Sequence, residues 1–102
     1  MPHIILNAIY PTHKQSEVVA KIASVGDKYA KPDLIKILAM SVNTCLEGIK
    51  IQITYEAVDN KFLEALQLIR KAAYEYINIE GFEYKIEVWY SGAEANALAM
   101  GQ

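Results

Sequence analysis

The sequence predicts an α+β fold of order β-α-β-β-α-β, a four-stranded antiparallel sheet with both helices on one face. Three observations predict it. The segments GIKIQITYE and FEYKIEVWYS alternate apolar and polar residues with period two, the pattern of half-buried strands. Residues 18–29 and 62–77 instead repeat apolar side chains at spacings of three and four, the stripe of an amphipathic helix. Pro11, Pro32 and Gly81 fall between these segments and punctuate them.

Each element has its own signal. His3 to Tyr10 (HIILNAIY) is apolar and β-branched, and Pro11 ends it because proline cannot donate to a ladder. Thr12 with Gln15 three residues later reads as a capping box, after which Val18, Ile22, Val25 and Tyr29 carry a helix to about Ala30. Glu17 precedes Lys21 by four residues, the favourable orientation for a helical ion pair, while Gly26 weakens the last turns by up to ~1 kcal/mol relative to alanine. Asp33 to Thr44 and Gly48 to Val58 read as a hairpin turning around Leu46, Glu47 and Gly48. Its second strand places Ile49, Ile51, Ile53 and Tyr55 on one face and Lys50, Gln52, Thr54 and Glu56 on the other. Asp59 or Asn60 can cap the second helix, whose stripe is Phe62, Leu66, Ile69, Ala73 and Ile77 and whose stop is Gly81. In the last strand Phe82, Tyr84, Ile86, Val88 and Tyr90 oppose Glu83, Lys85, Glu87 and Trp89, and the tail from Ala93 to Met100 is expected to form a short helix.

That order, two split βαβ halves, is the ferredoxin-like pattern, with strands one and three central. With 102 residues and 53% hydrophobic content, residues 1–102 are expected to form a single ferredoxin-like domain with one core. A net charge of -2 gives no basic stripe for phosphates, so no nucleic-acid partner is expected. The lone cysteine, Cys45, can form neither an intramolecular disulfide nor a Cys-based zinc site, which fits a reducing, cytoplasmic setting. No apolar run reaches the ~18 residues of a membrane span and no signal peptide is recognisable, so no membrane partner is expected.

Helices cover one face of such a sheet, and the apolar registers (Ile4, Leu6, Ala8; Ile49, Ile51, Ile53; Ile86, Val88) are assigned to it. The open face then carries Ile5, Asn7 and Ile9, Ile35, Ile37 and Ala39, Gln52 and Thr54, and Lys85, Glu87 and Trp89. A face so apolar calls for a partner. In length, element order and surface pattern the chain resembles the dimeric α+β barrel superfamily, in which two such sheets stack face to face. That resemblance implies a homodimer or higher homo-oligomer, and a pocket between sheet and helices or between the two sheets. It leaves the chemistry open, since the superfamily includes monooxygenases, isomerases, haem-handling enzymes and non-catalytic sensors. PTHK, LEGIKI and IEGFEYKIEV are also similar to segments of a small uncharacterised prokaryotic family, which implies no function.

Several residues invite a chemical role. MPHIIL is similar to the openings of the tautomerase superfamily, which implies that Pro2, if freed by loss of Met1, could act as a general base whose pKa burial lowers. Against that, carboxylate substrates want arginine clamps, and Arg70 is the only arginine. His3 and His13 bracket the first strand roughly 20 Å or more apart, so they cannot share a metal within one subunit, and no metal site is indicated. No phosphate-binding glycine motif is present, and no cofactor is expected. The candidate ligand-binding residues are Asn7, Tyr10, His13, Tyr55, Glu87 and Trp89, drawn from two sites, one on the open face and one beneath the helices. They imply a small, partly apolar ligand; the alternatives are a non-catalytic oligomeric assembly or regulatory protein, and a Pro2 tautomerase.

Overall fold

In the computed structural model residues 2–101 are described, without the side chains of residues 98, 100 and 101. Met1, whose removal would expose the Pro2 amine, lies outside the described residues. The elements run β1 (His3–Tyr10), a 3-10 turn (Thr12–Lys14), α1 (Gln15–Lys28), β2 (Ile35–Cys45), β3 (Gly48–Ala57), α2 (Phe62–Tyr74), β4 (Glu83–Trp89) and α3 (Gly92–Gly101). The four strands form one antiparallel sheet in the order β2-β3-β1-β4, so β1 and β3 are central as expected.

Period-two alternation sets the two faces. Ile4, Ala8 and Tyr10 of β1 and Ile49, Ile51 and Tyr55 of β3 are buried beneath the helices. One cluster joins Tyr10, Ile49 and Ile51 to Val18 and Val25 of α1 and to Tyr76 and Ile79; a second joins Ile4, Tyr55 and Ala57 to Ala65 and Ile69 of α2. Phe82 bridges two tyrosines of the first cluster, its ring stacked 6.1 Å from Tyr10 and 4.7 Å from Tyr76. Among the described residues no polar or charged residue is buried, so burial of apolar surface is the main term holding the fold.

Several local expectations are corrected. Ile35 and Ile37 pair with Ala57 and Tyr55 and therefore face the helices, whereas Ala39 pairs with Thr54 on the open face. An irregularity between Ile37 and Ala39 inserts Leu38 and switches the parity of the strand, as a bulge does. Thr12 opens the 3-10 turn without a side-chain cap, and the Gln15 amide oxygen instead accepts the Tyr10 hydroxyl at 2.5 Å. Glu17 pairs with Lys14 at 3.4 Å in place of Lys21. Neither Asp59 nor Asn60 caps α2, whose N-cap is Lys61 with no side-chain bond; Asn60 takes a positive φ of 62° in the preceding turn. Because α2 ends at Tyr74, Ile77 falls outside its stripe and is exposed, and Gly81 serves the turn before β4 instead of stopping the helix. A capping box does form at α3, where the Ser91 hydroxyl accepts the Glu94 amide at 3.1 Å and the Ser91 amide donates to the Glu94 carboxylate at 2.8 Å.

Gly26 lies inside α1 with nothing within 4 Å of a Cβ added there. Gly26→Ala is therefore expected to raise stability by ~0.5–1 kcal/mol, read as a higher urea midpoint at unchanged slope.

Candidate functional site

On the open face β1 presents His3, Ile5, Asn7 and Ile9, and the registers fix their neighbours. Asn7 lies between Gln52 of β3 and Lys85 of β4, and Ile5 lies between Thr54 and Glu87. The side chains join into a chain of bonds across three strands. Gln52 Nε2 donates to Asn7 Oδ1 at 3.1 Å, and Asn7 Nδ2 donates to Glu87 Oε1 at 3.1 Å. Trp89 Nε1 reaches the same carboxylate oxygen at 3.4 Å, and Lys85 Nζ stands 3.5 Å from Glu87 Oε2. Both Glu87 oxygens and both ends of the Asn7 amide are thus engaged. The cluster is a bonded platform. At the far end of the face His3 Nε2 lies 3.7 Å from Glu56 Oε2.

Beside the platform, toward the β2–β3 hairpin, the twisted sheet forms a trough of about 560 Å3. Asn7, Gln52 and Lys85 belong to both; Ser41, Asn43, Lys50 and Glu83 add polar groups to the lining, and Ala8, Ile9, Val42, Ile51 and Tyr84 add apolar ones. Its volume lies within the ~300–1,000 Å3 of small-molecule sites. Ser41, Asn43 and Lys50 were missed from the sequence. Parity within β2 would have pointed to the first two once the bulge at Leu38 was placed, since they pair with Gln52 and Lys50.

The six candidate residues separate. Asn7, Glu87 and Trp89 share the open face. Tyr10 and Tyr55 lie on the opposite face, buried in different clusters, and desolvation raises the pKa of each phenol. Burial, with a smaller contribution from Tyr55, pushes Tyr76 up to about 12. The space beneath the helices, which Tyr55 and Tyr76 line and Tyr10 does not, is about 50 Å3, too small for an organic molecule. His13 is exposed in the 3-10 turn after Tyr10, while Trp89 pairs with His3, so the length of β1, roughly 23 Å, separates those two residues. Of the six, only the open-face set is brought together, through the bonds to Glu87. Among the described residues no cluster of three potential metal ligands occurs, and no helix is long and apolar enough to cross a membrane.

No sequence family and no curated protein matches the chain. Solved structures do match its fold. A candidate antibiotic biosynthesis monooxygenase from Deinococcus radiodurans superposes with a TM-score of 0.59 at 14% identity, over 90% of this chain and 93% of that one. A dimeric ferredoxin-like protein from an uncultured marine organism gives 0.57 at 12% identity, over 89% and 94%. A formyltetrahydrofolate deformylase from Pseudomonas putida KT2440 gives 0.53 at 8% identity over 85% of this chain, which spans only 28% of that enzyme. The chain therefore has a ferredoxin-like α+β fold. At such identities the likeness is one of fold.

Proposed function

We propose that the protein is a homodimer built by stacking two open sheet faces, and that it encloses a small, partly apolar molecule in the trough between them. The observation that carries this reading is the open face itself. It holds a concavity of ligand size next to a bonded polar platform, and Trp89, 57% exposed, stands at the end of that platform away from the trough. A large indole left in water is stabilised by a cover, and tryptophan is among the residues most enriched in binding hot spots. The dimeric marine protein and the candidate monooxygenase of the same fold support it. Asn7 and Gln52 offer amide groups to a ligand if they exchange their present bonds, while Ile9 supplies apolar contact.

The full satisfaction of the Gln52–Asn7–Glu87 chain favours a second reading, a non-catalytic assembly protein in which the platform serves only to register the two sheets. Native mass spectrometry of untagged protein purified from its own cells separates the two. The expected ion is a dimer carrying a few hundred daltons of extra mass, as an order of magnitude for a ligand filling such a pocket. A bare dimer would transfer the function to assembly, and a bare monomer would overturn both readings.

A further inference from the structure

The opposite side of the molecule holds a second groove, which shares only Tyr84 with the lining of the open-face trough. It is open, about 800 Å3 in volume, and lies between α1, the end of α2 and the helix-facing side of β4. Lys21, Arg70 and Lys71 line it together with one carboxylate, Glu75. That carboxylate is already committed, since Glu75 Oε2 lies 2.7 Å from both Lys28 Nζ and the Tyr29 hydroxyl. These bonds also hold the Glu75 pKa below the usual carboxylate range, with Lys21 adding a smaller Coulombic pull, so Glu75 stays charged and paired. Among the described residues no salt bridge joins Lys21, Arg70 or Lys71 to an acid. An excess of positive charge thus gathers in one concavity of a chain whose net charge is -2.

The walls between the charges carry aromatic and aliphatic side chains together with Asn78. Tyr74, Tyr84 and Ile77 are 61%, 39% and 56% exposed around the cations. Cations beside partly exposed aromatic rings, of which Tyr84 also meets Phe82 at a tilt with centroids 6.4 Å apart, suit a ligand that is both planar and anionic: the guanidinium can hold a carboxylate through two parallel hydrogen bonds while the ring lies on tyrosine. We infer that this groove binds an aromatic carboxylate, with Arg70 gripping the anion and Tyr84 and Tyr74 flanking the ring. The inference stands apart from the open-face dimer and does not depend on it.

The test uses 2-naphthoate as probe, titrated into the full-length 15N-labelled protein and followed by amide shifts. Saturable shifts are expected around Arg70, Lys71 and Tyr84. Binding should weaken at least tenfold in Arg70→Gln and again in Tyr84→Ala, and the neutral isostere 2-naphthalenemethanol should bind at least tenfold more weakly than the anion. Trp89→Glu, on the other face, should leave the affinity unchanged, which keeps this result separate from the fate of the dimer. Shifts centred on Asn7 and Lys50, equal binding of the neutral compound, or no saturation would each overturn the inference. Because Arg70 is exposed, loss of binding in Arg70→Gln can be separated from misfolding by an unchanged amide spectrum.

Discussion

Trp89→Glu is expected to convert the proposed dimer to a monomer. The indole is 57% exposed and its Nε1 lies 3.4 Å from Glu87 Oε1 on the open face, which in the proposed stacked dimer the partner sheet would cover. A glutamate there would bury an unpaired charge and set it two residues from Glu87 on the same strand face, where like charges repel. Loss of a tryptophan anchor alone typically costs about 2 kcal/mol or more. With the buried charge added, the dissociation constant should rise at least ~100-fold, since each tenfold step is about 1.4 kcal/mol. Sedimentation equilibrium across a concentration series would show it, with far-UV circular dichroism confirming the fold. Leu46→Glu is the matched control: Leu46 is fully exposed at the hairpin tip, off the sheet face, and the dimer should persist. A Trp89→Glu protein that remains dimeric would place the interface elsewhere. The edge strand β2 would be the next surface to test, where Ile37, Met40 and Val42 are exposed.

What could be read in advance follows the strength of the underlying signal. β3 and β4 alternate, so the sharing of one face by Asn7, Gln52 and Glu87 was legible before any coordinates, whereas the register that pairs Asn7 with Gln52 is set by the fold. The run IKILAM has no such alternation. It satisfies either parity, and only the bulge at Leu38 decides which residues join the open face. Capping patterns misled for a related reason. T-x-x-Q at Thr12 and S-x-x-E at Ser91 are equivalent as strings, but Gln15 finds the Tyr10 hydroxyl, a partner supplied by the end of β1, whereas Ser91 and Glu94 have each other. The positive groove was invisible in sequence because Lys21, Arg70 and Tyr84 come from three elements whose proximity only the fold creates.

Gly48→Ala is expected to cost about 3 kcal/mol or more, in contrast to the gain at Gly26. Two-residue hairpin loops usually reverse the chain with positive φ inside the loop. Neither Leu46 nor Glu47 has one, and among the described non-glycine residues only Asn60 does; the reversal is taken up at Gly48, with φ of 139°. Gly48 is also buried, and a Cβ built on it would lie 2.3 Å from the Tyr10 carbonyl oxygen and 3.1 Å from its carbon. Those are backbone atoms of the central strand β1, so they cannot swing aside as a side-chain tip would. The strained dihedral contributes ~1–3 kcal/mol and the overlap a similar amount. Gly81 meets Pro11 on the other flank of the same chain segment, its φ of 82° bringing a Cβ within 2.5 Å of the proline ring. Two glycines thus clamp the end of β1, which leads directly into Pro11 and the turn before α1. In a domain whose whole stability is ~5–15 kcal/mol, the Gly48 substitution should remove a large part of it, read as a lower urea midpoint. An unchanged midpoint would mean that the hairpin reverses by another turn and that the close approach of Gly48 to Tyr10 is not maintained in solution.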